Sequence, residues 1–218
     1  QSHLITGEPG TGKTILAVYL IKRLKSDLKT RHLEIGLVIP MTSLRKTLKK
    51  VFKSVSSLKP NMVIGPNDVV KKKYDILIVD EAHRLQRRVN LQNYPSFDAA
   101  NRKLGLGKEE GTQLDWIMKS SPHQILFYDK QQSVKPADIR PADFEKYDYV
   151  EHQLTSQMRV QGGEEYLSYI ENFLNFNQPK RESFYNYDLK LFDDINEMVE
   201  AIKQKDREFG LSRVVSGF

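Results

Sequence analysis

The chain contains no cysteine, which excludes disulfide frameworks and thiolate metal sites and suits a reducing, cytoplasmic setting. No apolar run approaches the roughly 18–20 residues needed to cross a bilayer, so no membrane span is expected. The first residues do not read as a signal peptide, because a glycine-rich loop interrupts them almost at once. Internal repeats and low-complexity segments are lacking too. The longest stretch without acidic residues is Ile35 to Asn67, which holds neither Asp nor Glu, yet carries Arg45, Lys46, Lys49, Lys50, Lys53 and Lys59. The formal net charge is +6, so these six residues account for the whole excess. A local basic stripe on a neutral body suits a polyanionic partner, although a solvated helix face has the same composition.

What is present describes an ordinary globular protein. The 218 residues are 39% hydrophobic and 28% charged, enough for one good core or two modest ones. Strand-like runs at His3–Thr6, Leu33–Pro40, Ile76–Asp80, Ile125–Asp129 and Tyr149–Thr155 alternate with helical patterns. That alternation signals βαβ units around a parallel sheet, an α/β fold. Lys13–Lys25 reads as a largely buried helix. Leu44, Leu48, Val51, Phe52 and Val55 recur at helical spacing on a second one, with Thr42 or Ser43 placed to cap it. Gly111–Ser120 and Glu164–Phe173 are further helix candidates. Leu85–Gly111, with Arg87, Arg88, Tyr94, Pro95 and Phe97, reads as an insertion holding one short helix. A first domain is expected over residues 1–148. Residues 149–218 are expected to begin a second α/β lobe with strands at Tyr149–Thr155, Leu189–Phe192 and Arg213–Phe218. Both ends look cut, so the chain reads as a fragment.

Gly7-Glu8-Pro9-Gly10-Thr11-Gly12-Lys13-Thr14 fits the phosphate-binding pattern G-x-x-x-x-G-K-[ST] at every fixed position, between a short strand and a helix. Its glycines let successive main-chain N–H groups turn inward onto phosphate oxygens, and the helix N-terminus adds its positive dipole end. Lys13 would neutralise the outer phosphates, and the Thr14 hydroxyl would be a magnesium ligand. Asp75-Ile76-Leu77-Ile78-Val79-Asp80-Glu81-Ala82-His83 is the second element: four apolar residues of a buried strand, then two carboxylates at its C-terminal end, where open α/β sheets bind ligands. Asp80 would hold Mg2+ through water, and Glu81 would polarise the attacking water. ATP and Mg2+ are the expected cofactors. His83 is given no chemical role.

With Asp80-Glu81-Ala82-His83 beside the P-loop, the chain resembles a superfamily 1 helicase core. Pro40-Met41-Thr42-Ser43-Leu44-Arg45 falls where that family carries motif Ia, which touches single-stranded nucleic acid. Tyr128-Asp129-Lys130-Gln131-Gln132 resembles motif III, G-D-x-x-Q, with Tyr128 in place of glycine. Leu154-Thr155-Ser156-Gln157-Met158-Arg159 resembles motif IV, Q-x-R. A narrower likeness is to the bacterial Schlafen-group-3-like DNA/RNA helicase domain. It rests on Arg87-Arg88 after the acidic motif, then Phe97-Asp98, Asn101, Leu104-Gly105-Leu106 and Thr112-Gln113-Leu114-Asp115-Trp116-Ile117.

The resemblance implies a RecA-like P-loop ATPase with a parallel sheet flanked by helices on both faces. It implies Gln132 as sensor of the γ-phosphate and Arg159 as an arginine finger from the second lobe. Single-stranded DNA or RNA is the implied partner, met by Thr42, Arg45, Lys46 and Lys49. Nothing resembles motifs V and VI, and the upstream adenine-contacting glutamine is absent, so a parent protein with the rest of the second lobe, or a fused nuclease or partner domain, is expected. Two other readings share the nucleotide motifs: a regulatory ATP switch without strand tracking, and an AAA-type remodelling ATPase.

Overall fold

The computed structural model describes residues 1–132, 135–156, 162–177, 183–184 and 187–215. Two compact units emerge, Gln1–Arg159 and Val160–Phe218. In the first, β1 (Ser2–Gly7), β2 (Ile35–Val38), β3 (Val63–Ile64), β4 (Ile76–Val79), β5 (His123–Tyr128) and β6 (Val150–Leu154) form one sheet in the order β3-β2-β4-β5-β1-β6. Every pairing is parallel. Parallel strands need crossovers that cover both faces, and the strands show it by alternation. Leu4, Val38, Leu77, Val79, Leu126 and Tyr128 join one core. Ile5, Ile35, Leu37, Ile78 and Phe127 join the core on the other side.

Helices α1 (Lys13–Ser26) and α2 (Thr42–Ser54) cover the second of these faces. Helix α1 buries Lys13, Ala17 and Ile21, a four-residue repeat that makes one inward stripe. It is less buried than its apolar sequence suggests, since Ile15 and Tyr19 are exposed. Helix α2 seats Leu48 and Phe52 in the core, but Val51 faces out. Its N-cap is Met41, with no side-chain cap, so neither Thr42 nor Ser43 fills the capping role expected for them.

The opposite face is covered by the insertion and the segments after it. Helix α3 (Tyr94–Lys103) is capped by Asn93, which accepts from Ser96 N. Helix α4 (Gln113–Ser120) starts at a capping box between Thr112 and Asp115. Trp116 is fully buried; its Nε1 donates to Asn101 Oδ1 at 2.6 Å. Asn101 in turn donates to the carbonyls of Lys108 and Gly111, closing the turn between the helices. Arg88 grips Asp98 with two nitrogens, at 2.7 and 3.1 Å, and lies over the Tyr94 ring. Arg87 donates to the carbonyls of Asp138 and Pro136. Both arginines are therefore internal fasteners of this layer. A four-residue helix α5 (Pro141–Phe144) adds Phe144 against Tyr128.

Strand β6 lies beside β1, with His3↔Val150 through Gly7↔Leu154 in register. The first sheet thus runs past residue 148, where the sequence suggested a boundary. Within the second unit, helices α6 (Gly163–Leu174) and α7 (Ile195–Phe209) are present. Tyr166, Tyr169, Phe184 and Tyr187 pack ring on ring. The strand expected at Leu189–Phe192 does not form: the segment has no regular secondary structure. The same holds for 213–215, and 216–218 lie outside the described residues. No helix among the described residues is long and apolar enough to cross a membrane.

Candidate nucleotide site

Sheet order decides which loops meet. Strand β5 sits between β4 and β1, so the C-terminal ends of three adjacent strands bring Asp80-Glu81, Asp129–Gln132 and the glycine loop to one edge. The loop Gly7–Thr14 turns through left-handed backbone at Gly10 (φ 92°) and Gly12 (φ 83°), which glycine adopts without Cβ strain. At Gly7 the constraint is space: an added Cβ would meet Thr11 Oγ1 at 2.6 Å and Leu154 Cβ at 3.1 Å. The loop is pinned by Thr11, whose amide and hydroxyl both donate to Glu8 O.

Lys13 lies 6% exposed and turns back over this loop. Its ammonium donates to Gly7 O, to Glu8 O at 2.9 Å and to Asp129 Oδ2 at 3.3 Å. Asp129 Oδ2 also accepts from Gln132 Nε2 at 2.8 Å, so one carboxylate oxygen links the P-loop lysine to the glutamine of the motif III-like turn. In the sequence Asp129 stands only as the fixed Asp of the motif III-like turn, with no role of its own.

Thr14 donates through its hydroxyl to Asp80 Oδ2 at 2.6 Å. Asp80 is completely buried, and its second oxygen, Oδ1, has no hydrogen-bond partner among the described residues. Burial pushes the Asp80 carboxyl above its ordinary value; the Thr14 bond and Lys13 pull the other way without cancelling it. A buried carboxylate with a spare oxygen beside a hydroxyl suits a hard divalent cation, and magnesium commonly takes one or two protein oxygens and keeps water on the rest. The donor set fits Mg2+. The glycine cradle fits a polyphosphate.

Glu81 follows in the left-handed region, φ 57°, an uncommon position for a residue with a side chain. Its Oε2 lies 3.0 Å from His83 Nε2 and 3.3 Å from Arg84 Nε. His83 chiefly, then Arg84, holds the Glu81 carboxyl below its usual value against the opposing effect of burial. Pro9, Gly10, Gly12, Lys13, Thr14, Ile15, Glu81 and Gln132 line one cavity of about 330 Å³. Three of the residues expected to be catalytic therefore share a cavity, and Asp80 reaches it through Thr14. The fourth, Arg159, lies with Gln157 and Met158 outside the described residues.

On α2, Lys46 and Lys49 are exposed, as is Thr42. Arg45 differs: it donates to Ile39 O at 2.8 Å and to Thr42 Oγ1 at 3.2 Å, clamping the helix start onto the end of β2. Against the opposing effect of burial, Lys71 chiefly, then the Gly65 amide and last Arg45 hold the Asp68 carboxyl below its usual value.

An uncharacterized protein of Saccharomyces cerevisiae, YPL245W, is 27% identical over 261 aligned residues covering 99% of this chain and 54% of that protein. The chain thus spans about half the length of this curated relative. Among solved structures, one from work on DNA unwinding at forked duplexes by two coordinating Pif1 helicases has a TM-score of 0.42 and 15% identity. It covers 82% of this chain and 45% of that one. The Pyrococcus furiosus Hef helicase domain has a TM-score of 0.42 and 14% identity, covering 96% and 50%. The family described as Schlafen group 3, DNA/RNA helicase domain, matches residues 1–218. From end to end, then, the chain belongs to the Schlafen group 3 DNA/RNA helicase domain family.

Proposed function

We propose that this helicase-family domain binds ATP with Mg2+ in the cavity at the sheet edge, hydrolyses it, and serves a nucleic-acid-dependent helicase or translocase. One observation carries the reading: a P-loop lysine, a Thr14–Asp80 pair with a spare buried oxygen, Glu81 and Gln132 converge on one cavity. Main-chain N–H groups of the loop and the Lys13 ammonium would grip the phosphates, Lys13 leaving the carbonyls of Gly7 and Glu8 to do so. Thr14 and Asp80 would hold the cation, which when bound supplies charge neutralisation on the transferred phosphoryl group. Glu81 would accept a proton from the attacking water. Gln132, released from Asp129 once Lys13 moves, would turn to the γ-phosphate. Arg159 would supply positive charge to the transferred phosphoryl group. Exposed Lys46 and Lys49, with Thr42, would meet the backbone of single-stranded DNA or RNA. Residues after 159 would begin that second lobe within a longer cytoplasmic parent protein.

The test is a paired one. Lys13→Ala should abolish binding of a fluorescent ATP analogue, whereas Glu81→Gln should bind it and lose turnover. Single-stranded nucleic acid should stimulate hydrolysis by the intact protein, and added salt should remove the stimulation. Normal Mg-dependent binding by Lys13→Ala would sink the site. Indifference to nucleic acid would leave an ATP switch in place of a motor.

A further inference from the structure

His83 is the buried polar group that the mechanism above leaves unused. It is fully enclosed, and its Nδ1 has no hydrogen-bond partner among the described residues. The Tyr128 hydroxyl is buried and unpartnered among them as well, and the two rings lie 6.5 Å apart at 52°. Burying an unsatisfied polar group costs about 1–3 kcal/mol, so an imidazole is a poor choice here if packing were its only task. What an apolar side chain could not do is meet Glu81. Nε2 stands 3.0 Å from Glu81 Oε2, close yet not aligned as a hydrogen bond. Arg84 approaches the same oxygen. Among the described residues Oε1 takes no hydrogen bond, while Glu81 itself lines the cavity. One oxygen of the carboxylate is held and the other is left for the cavity.

We propose that His83 is a positioning residue, whose Nε2 contact anchors Glu81 Oε2 and so presents Oε1 to the water that attacks the γ-phosphate. The proposal rests on Glu81 being the base. It explains how a residue in left-handed backbone keeps a defined side-chain direction, and why the histidine sits beneath the strand end and out of solvent. It also requires His83 to carry a proton on Nε2. The alternative tautomer would set two lone pairs against each other across the Glu81 contact.

Two measurements test this. The first needs no nucleotide. Nitrogen-15 NMR of the ring should show Nε2 protonated at neutral pH, and a ring protonated only on Nδ1 would overturn the proposal. The second compares His83→Gln, which keeps a donor, with His83→Leu, which keeps bulk alone. The leucine variant should bind the fluorescent ATP analogue within about threefold of wild type yet lose about 10- to 100-fold in kcat, the scale of a misplaced base. The glutamine variant should recover most of that loss. Wild-type kcat in His83→Leu, beside an inactive Glu81→Gln, would remove the role of His83 and leave the base intact. Full turnover in Glu81→Gln would remove both.

Discussion

Replacing Asp80 by Asn should make the nucleotide-free protein more stable and at the same time take away its response to magnesium. Asp80 is completely buried, and burial raises its carboxyl pKa despite the Thr14 bond and the nearby Lys13. A folded-state pKa above the unfolded one means that the ionised form weakens the fold, so this group's contribution is lost as pH rises through the folded value. At neutral pH the wild type carries that penalty. The asparagine of Asp80→Asn keeps an acceptor for Thr14 Oγ1 and carries no charge. Its amide N–H₂ takes the place of the unpartnered oxygen, and the loss of the charged Thr14 bond and of the Lys13 attraction offsets part of the benefit. The variant should therefore melt above wild type in the absence of ligand. With Mg2+ and a non-hydrolysable ATP analogue at 100 times Kd, the wild type should gain about 2.7 kcal/mol, or about 5–11 °C. The variant should keep only what the nucleotide gives without metal. Thermal denaturation of both proteins, with and without Mg2+ and analogue, reads all four states. A variant that melts below wild type without ligand, or that retains the magnesium-dependent increment, would refute the reasoning.

Three other outcomes are expected from the geometry. Gly7→Ala should weaken nucleotide binding at least tenfold, seen by fluorescence titration, because its Cβ would stand 2.6 Å from Thr11 Oγ1 and 3.1 Å from Leu154 Cβ. Lys46→Glu with Lys49→Glu should leave Tm unchanged and lower the salt dependence of single-strand binding. Arg45→Ala should instead lower Tm, because it removes the clamp onto Ile39 O. Alkaline titration followed by tyrosine absorbance should show late, cooperative ionisation: burial raises Tyr128, Tyr147 and Tyr149, and pushes Tyr74 up to about 12. Unfolded tyrosines lose protons near pH 10, so stability should fall as pH rises from about 10 toward 12. Early, independent ionisation of all ten tyrosines would contradict this.

The sheet was legible because a strand buried on both faces needs an unbroken apolar run, and Ile35–Val38 and Ile76–Val79 provide it. The glycine loop was legible because few residue types tolerate its backbone. Partnership was not: Val150–Leu154 reads equally well as a first strand of a new lobe or a last strand of the old one, and only its ladder with β1 decides. Helix α7 escaped notice although Asp194 caps its start and Gly210, at φ 72°, ends it. Ile195, Met198, Val199 and Ile202 recur at helical spacing in it, although none of its residues is buried. The apolar residues at Leu189–Phe192 suggested a strand, yet without a neighbour to pair with they form none. At the site, residue types and spacing named Lys13, Thr14, Asp80 and Glu81. They could not reveal that Asp129 joins Lys13 to Gln132, or that His83 faces Glu81, because both are meetings that only the folded chain brings about.

The register Gly7↔Leu154 has a mechanical consequence. The first glycine of the phosphate cradle is braced on one side by the last residue of the edge strand, with no slack a methyl group wide between them. A shift of the chain at Leu154 would therefore press on the first glycine of the cradle. The fold thereby wires the place where the polypeptide leaves the sheet directly to the place where it would grip its fuel.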